Sequence, residues 1–338
     1  MSSAATPDSD RRTDSLTLVE AVQDALYTEM TADENVVVLG EDVGENGGVF
    51  RATEALYEEF GGDRVVDTPL AESGIVGTAI GLALSGMRPV AEIQFMGFAY
   101  PAFDQIVSHA SRLRSRSHGK YSAPIVIRAP YGGGIRAPEH HSESKEAFFV
   151  HEPGLKVVCP STPADAKGLL IASVRDPDPV VFLEPKLLYR AFREDVPTGS
   201  YEVPLADAAI RREGEDISVY TWGAMTRPTL IAAENVAEEY GVEAEVVDLR
   251  TLSPLDVETI VDSFRKTGRA AVVHEAPKTA GLGAEIATTI QERAVCYQKA
   301  PIKRIAGFDT PMPLHALEDY YLPQAVRIQD GILETVDF

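Results

Sequence analysis

Arg64-Val-Val-Asp-Thr-Pro-Leu-Ala-Glu-Ser-Gly-Ile-Val-Gly-Thr-Ala-Ile-Gly-Leu-Ala-Leu-Ser-Gly86 reads as a strand, a turn and a helix in one line. The β-branched pair at 65 and 66 suits a short buried strand. Pro69 interrupts it, and the small and apolar residues that follow predict a helix over 73–86 that can lie close to a neighbouring backbone. Glu72 stands at the mouth of that helix, beyond the carboxyl end of the strand, where open α/β sheets bind their ligands. Surrounded by small and apolar groups, it is expected to face a dry setting. The helix dipole also favours a plain solvated glutamate in a first turn, so position alone leaves both readings open.

The same alternation runs outward from this stretch. Strands are expected at 36–39, 90–95, 124–127, 155–158 and 180–183, with helices at 17–31, 73–86, 99–116 and 163–174. Short apolar runs separated by helices imply parallel strands joined by crossovers, an α/β fold. Thr162 followed by Pro163 marks a helix start. The polar stretch around 191–205, with two prolines and a glycine, reads as a linker. Beyond it come strands at 217–220, 244–249, 270–274 and 302–307, with helices at 227–240, 255–267 and 283–294. The expected organisation is a tail over 1–15, an α/β domain over 16–190, the linker, and a smaller parallel α/β domain over 206–338.

The chain has 338 residues, which suits two domains. Its net charge of −21 argues against a nucleic-acid partner, whose phosphates need basic surface. The acidic excess is spread along the chain, as expected of a protein adapted to high salt, where carboxylates stay hydrated and salt screens their repulsion. No apolar run of spanning length occurs and the polar N-terminus has no signal core, so no membrane association and a cytoplasmic location are expected. Cys159 and Cys296 have no Cys-x-x-Cys partner and are expected to be reduced bystanders.

Several motifs occur in order: Glu41-Asp-Val-Gly, Asp67-Thr-Pro-Leu-Ala-Glu-Ser-Gly, Arg88-Pro-Val-Ala-Glu-Ile-Gln-Phe, Pro101-Ala-Phe-Asp-Gln-Ile, His141-Ser-Glu-Ser, Pro153-Gly-Leu-Lys-Val-Val, Asp165-Ala-Lys-Gly-Leu-Leu and Asp248-Leu-Arg-Thr-Leu-Ser-Pro. Together they closely resemble the beta subunit of the thiamine diphosphate-dependent dehydrogenase component of 2-oxo acid dehydrogenase complexes, from about Leu16 to the C-terminus. The resemblance implies a transketolase-like pyrimidine-binding domain followed by a transketolase C-terminal-like domain. It implies an α2β2 heterotetramer that passes an acyl group to lipoamide on an acyltransferase core. No Gly-Asp-Gly with a later Asn pair is present to hold the cofactor's diphosphate and magnesium, so these are expected on an alpha subunit.

Within that resemblance Glu72 matches the glutamate that exchanges a proton with the cofactor's aminopyrimidine. A carboxyl group in that role is desolvated, which raises its pKa. Leu70, Gln94 and Phe98 match positions lining the pyrimidine pocket; Phe98 replaces a Tyr found in some members. His141, in the loop Tyr131-Gly-Gly-Gly-Ile-Arg-Ala-Pro-Glu-His-His141, matches the histidine that aids acyl transfer, a proton step imidazole suits. His140 reads as surface. A structural potassium site is implied at the carbonyls of Ile125, Ser173 and Val174 with Asp176 and Asp178, the last where relatives often carry Asn. Oxygen-only ligation suits such a cation.

The substrate stays open between pyruvate, branched-chain 2-oxo acids and acetoin. A split transketolase-type subunit and a noncatalytic assembly subunit are the rival readings; the match at His141-Ser favours the oxo acid family. Arg112-Leu-Arg-Ser-Arg-Ser-His-Gly-Lys120 suits either a partner surface or a helix C-terminus. Gly281-Leu-Gly283 opens a helix, but Ile286 replaces the third glycine of a dinucleotide fingerprint.

Overall fold

A seven-stranded sheet forms the centre of the first half of the chain, which the computed structural model describes from residue 12 to the C-terminus at 338. Its strands run in the order Thr251–Ser253, Lys156–Val158, Val180–Pro185, Val126–Tyr131, Arg88–Glu92, Val36–Gly40 and Val65–Asp67. All neighbours are parallel except the edge strand Thr251–Ser253. Burial on both faces explains the unbroken apolar runs. The helices Leu18–Ala32 and Pro163–Arg175 pack on each other. Lys167, fully buried, ties them by reaching Asp24 at 2.5 Å. Thr17 and Glu20 close a capping box on the first of these helices, and Thr162 caps the second through the Asp165 amide.

A second sheet of five strands is ordered Lys303–Gly307, Ala270–Pro277, Ile217–Thr221, Ala244–Asp248 and Ala209–Arg212. Only Ala209–Arg212 is antiparallel. The architecture is the expected pair of α/β domains, each parallel sheet carrying one antiparallel edge strand. Among the described residues no helix is long and apolar enough to cross a membrane. Both cysteines are free, Cys159 buried and Cys296 exposed.

Four differences from the sequence reading have local causes. Residues 1–11 of the expected tail lie outside the described residues, but Thr13–Leu16 forms a strand. It pairs antiparallel with Glu194–Pro197, inside the expected linker, and Arg193 fastens the pair by bonding Ser15 O at 2.7 Å and Glu20 at 2.8 Å. The helix expected over 99–116 is broken into a 3₁₀ segment Met96–Ala102, a π segment Gln105–Ala110 and an α-turn Leu113–Arg116. Pro101, which has no N–H to give, sits within it. The strand Thr251–Ser253 leaves the second domain and joins the first domain's sheet beside Lys156–Val158. Finally, the helix Ala325–Val336, unassigned from sequence, packs against Thr226–Tyr240.

The domain junction accounts for two of the motifs. Arg211 pairs with both Asp165 and Asp248, Arg250 reaches Asp165 at 3.0 Å, and the Ser161 hydroxyl donates to Asp248. Asp165 and the Asp248–Pro254 stretch therefore stitch the domains together.

Candidate active site at the mouth of the first sheet

The carboxyl ends of Val65–Asp67, Val36–Gly40, Arg88–Glu92 and Val126–Tyr131 lie side by side, and the segments leaving them carry the candidate residues. Glu72 is the first residue of the helix Glu72–Leu84, whose N-cap Ala71 has no side chain able to cap it. Contrary to expectation Glu72 is half-buried, not dry. Leu70, two residues before it, is 72% exposed. A Cβ added at Gly74 would meet only the Ala71 methyl, one at Gly77 only the Gln105 side chain, and one at Gly81 nothing within 4 Å. Of the small residues expected to pack on a neighbouring backbone, Ala79 and Ala83 are buried in the core, while the three glycines meet no backbone among the described residues.

Carboxylates gather at this mouth. Burial, followed by the charges of Asp42 and Glu72, raises the pKa of Glu41 above its ordinary value. Gln94 donates to Asp42 at 3.4 Å. The Gly44 amide donates to Asp67 at 2.7 Å, and a side chain at 44 would collide with that carboxylate.

The opposite wall is aromatic. The His141 ring lies 4.6 Å from Phe95 and 5.0 Å from Phe98, both edge to face, and the two phenylalanines are 5.4 Å apart. His141 Nδ1 is buried without a hydrogen-bond partner among the described residues. His140 is exposed, as expected, but its ring lies 5.3 Å from Phe98. Gly97 makes this wall possible: a Cβ there would lie 2.1 Å from the His140 carbonyl oxygen. Tyr100 donates to Glu143 at 2.6 Å. Leu70, Glu72, Gln94, Phe98 and His141 all belong to segments leaving this edge of the sheet; direct contacts tie Phe98 to His141, and Gln94 to Asp42.

Sequence reasoning missed the charged groups behind the mouth. Arg128, fully buried, bonds Glu92 at 2.7 Å and Glu184 at 2.6 and 2.9 Å, and the Tyr189 hydroxyl donates to Glu184 at 2.6 Å. Burial opposes the Arg128 charge, but Glu184 and Glu92 outweigh it and hold the guanidinium above its ordinary pKa. The available signal was a charge inside or at the end of each of three adjacent apolar strands, Glu92, Arg128 and Glu184. Glu146, also fully buried, has no partner for either oxygen among the described residues. Burial, with Glu275 adding to it, pushes its pKa to about 7. The folded protein then holds a proton between pH 4.5 and 7 that the unfolded chain has lost, so this group's contribution to stability falls as pH rises through that window, by about 3 kcal/mol. We expect the melting temperature of Glu146→Gln relative to the unaltered protein to climb between pH 5 and pH 8; a pH-independent difference would contradict this.

Each of the five positions implied for potassium already has a partner within the chain. Asp176 pairs with Lys156 at 2.5 Å and Asp178 with Arg114 at 2.6 Å. Arg88 donates to Val174 O, the Val180 amide to Ile125 O and the Asp176 amide to Ser173 O. The chain's own cations balance both aspartates, while the three carbonyl oxygens each keep a lone pair beyond the bond they accept. The pairing with Asp178 also takes Arg114 out of the basic stretch, and Arg112 is held by Glu152 at 3.0 Å. Gly281 and Gly283 press on the buried His274 ring, which stacks on Trp222 at 5.2 Å; packing explains these glycines without a dinucleotide.

Comparison with known proteins fits this geometry. Residues 14–191 match the family "Transketolase, pyrimidine binding domain", and residues 206–328 match "Transketolase, C-terminal domain". The chain is 52% identical to the pyruvate dehydrogenase E1 component subunit beta of Bacillus subtilis (strain 168), over 96% of this chain and 99% of that protein. It is 51% identical, with the same coverage, to the subunit of that name from Staphylococcus aureus (strain Mu50 / ATCC 700699). A solved structure titled split gene transketolase, inactive beta4 tetramer, aligns with a TM-score of 0.77 at 22% identity, covering 96% of this chain and 99% of that one, which speaks to the fold.

Proposed function

We propose, because this chain belongs to the family of beta subunits of the thiamine diphosphate-dependent dehydrogenase component of 2-oxo acid dehydrogenase complexes, that it completes an active site with an alpha subunit and oxidatively decarboxylates pyruvate. The observation that carries this reading is the mouth itself. A carboxylate, an amide and an aromatic wall bearing an imidazole nitrogen unpartnered among the described residues stand on segments leaving one edge of the sheet, beside a helix whose Gly74, Gly77 and Gly81 meet no backbone among the described residues. The residues fit half of thiamine diphosphate: Glu72 for a pyrimidine nitrogen, Gln94 for a polar edge, and Leu70 and Phe98 for the ring faces. The sequence has no Gly-Asp-Gly with a later Asn pair, and on that ground diphosphate and magnesium are assigned to the alpha subunit.

When bound, the cofactor supplies the nucleophilic carbon that adds to the 2-oxo group. Glu72 holds or gives the proton at the pyrimidine nitrogen, and the alpha subunit, seated over the exposed Leu70 and the glycine face, excludes water from that carboxyl. His141, on the opposite wall, moves a proton at the acyl acceptor, lipoamide on an acyltransferase core. We place the pair in an α2β2 heterotetramer and derive no step through potassium. The test is reduction of an artificial electron acceptor by the co-expressed pair with pyruvate, branched-chain 2-oxo acids or acetoin. Pyruvate should give the highest kcat/KM; preference for a branched acid or acetoin would reassign the substrate, and no turnover with any of them would remove the enzyme reading.

The net charge of −21 further supports adaptation to high salt. The melting temperature is expected to rise from dilute buffer to molar salt; equal stability in both would reject this.

A further inference from the structure

The glycine run that leads to His141 is held mainly by the second domain. The Gly133 amide donates to Glu275 at 3.2 Å, and the Gly134 and Arg136 amides donate to one oxygen of Glu318, the latter at 3.3 Å. Arg136 also reaches Asp319 at 3.0 Å. Lys186 donates to the Gly132 carbonyl, and its ammonium lies 5.7 Å over the Phe95 ring on which His141 leans. Glu275, Glu318 and Lys186 are at most 3% exposed. Successive amides of such a run make an anion-binding concavity, and here the chain's own carboxylates fill it.

The run is glycine because those groups press on it. Gly132 has φ +83°, and a Cβ there would lie 2.1 Å from Glu275 Oε1; one at Gly133 would lie 2.2 Å from the Met312 terminal methyl. The Gly132 amide donates to the Glu143 carbonyl at 3.1 Å, so residues 132 and 143 close the base of the loop that carries His141. A shift at 133–136 is therefore passed on to the imidazole.

We propose that Glu318 and Glu275 of the second domain, with Lys186, are positioning residues for His141, fixing its loop for transfer of the acyl group to the lipoyl carrier. This rests on the role given to His141 above. The test uses the assembled holoenzyme with Glu318→Ala, Glu318→Gln and His141→Ala, the Gln variant retaining an acceptor oxygen for the two amides. In Glu318→Ala, amide hydrogen exchange should accelerate across 132–145 while the strand Val126–Tyr131 stays protected. Acylation of a lipoyl domain should fall by about 10- to 100-fold, with decarboxylation read by an artificial acceptor within about twofold of the unaltered enzyme. Glu318→Gln should recover most of both losses and keeps the proposal testable if the Ala variant fails to fold. Unchanged exchange in 132–145, or acylation and decarboxylation falling together, would overturn it. If His141→Ala leaves acylation intact while exchange in Glu318→Ala rises as expected, the role of His141 is wrong and the positioning role in acyl transfer falls with it, leaving only a structural clamp.

Discussion

A Glu72→Gln variant, assembled with the alpha subunit, is expected to lose about 10²- to 10⁴-fold in 2-oxo acid decarboxylation, the usual contribution of a positioned acid–base group. The amide has nearly the carboxyl's size, so local packing is retained, but it cannot exchange a proton with a ring nitrogen. Because Glu72 is half-buried at the edge of the mouth, its removal should leave the melting temperature almost unchanged. Steady-state turnover and a melting curve on the same preparation check both halves. Decarboxylation within tenfold of the unaltered enzyme would remove Glu72 from the chemistry.

Arg128→Met should show the opposite profile, a large loss of stability with an intact mouth. Glu92 and Glu184 would be left facing each other in the buried sheet without the cation that bridges them. Breaking a buried pair in this way costs about 3–5 kcal/mol. The loss should shrink as the pH falls, because two uncompensated buried carboxylates take up protons more readily folded than unfolded. Urea unfolding at pH 8 and pH 5 measures this. A penalty below about 1 kcal/mol at pH 8 would mean that water or rearrangement already shields the carboxylates.

These two residues mark how far the sequence could be read. Runs such as Val36–Gly40 and Val126–Tyr131 announce themselves because a doubly covered parallel sheet demands apolar residues on both faces. Thr13–Leu16 and Ala209–Arg212 carry no such signature, since edge strands are exposed or half-exposed and mostly polar. Thr251–Ser253 is too short to show a period, and Gly331 interrupts the pattern of the last helix. At the mouth, the motifs pointed to Glu72, Gln94, Phe98 and His141, all on segments that leave neighbouring strands. Glu275 and Glu318 were invisible because they reach the loop from sequence distances of more than a hundred residues. Glu72 is half-buried because its neighbours in sequence are too small to close over it; dryness there would depend on the surface of a second chain.

Thr251–Ser253 also bears on how the protein is made. The first sheet's edge at Lys156–Val158 is completed only by residues that leave the ribosome roughly ninety positions later. Until then the nascent first domain presents an unpaired edge, the kind of surface on which chains join one another. A fragment ending near residue 190 would keep that edge permanently; the second half acts as the terminal shield of the first.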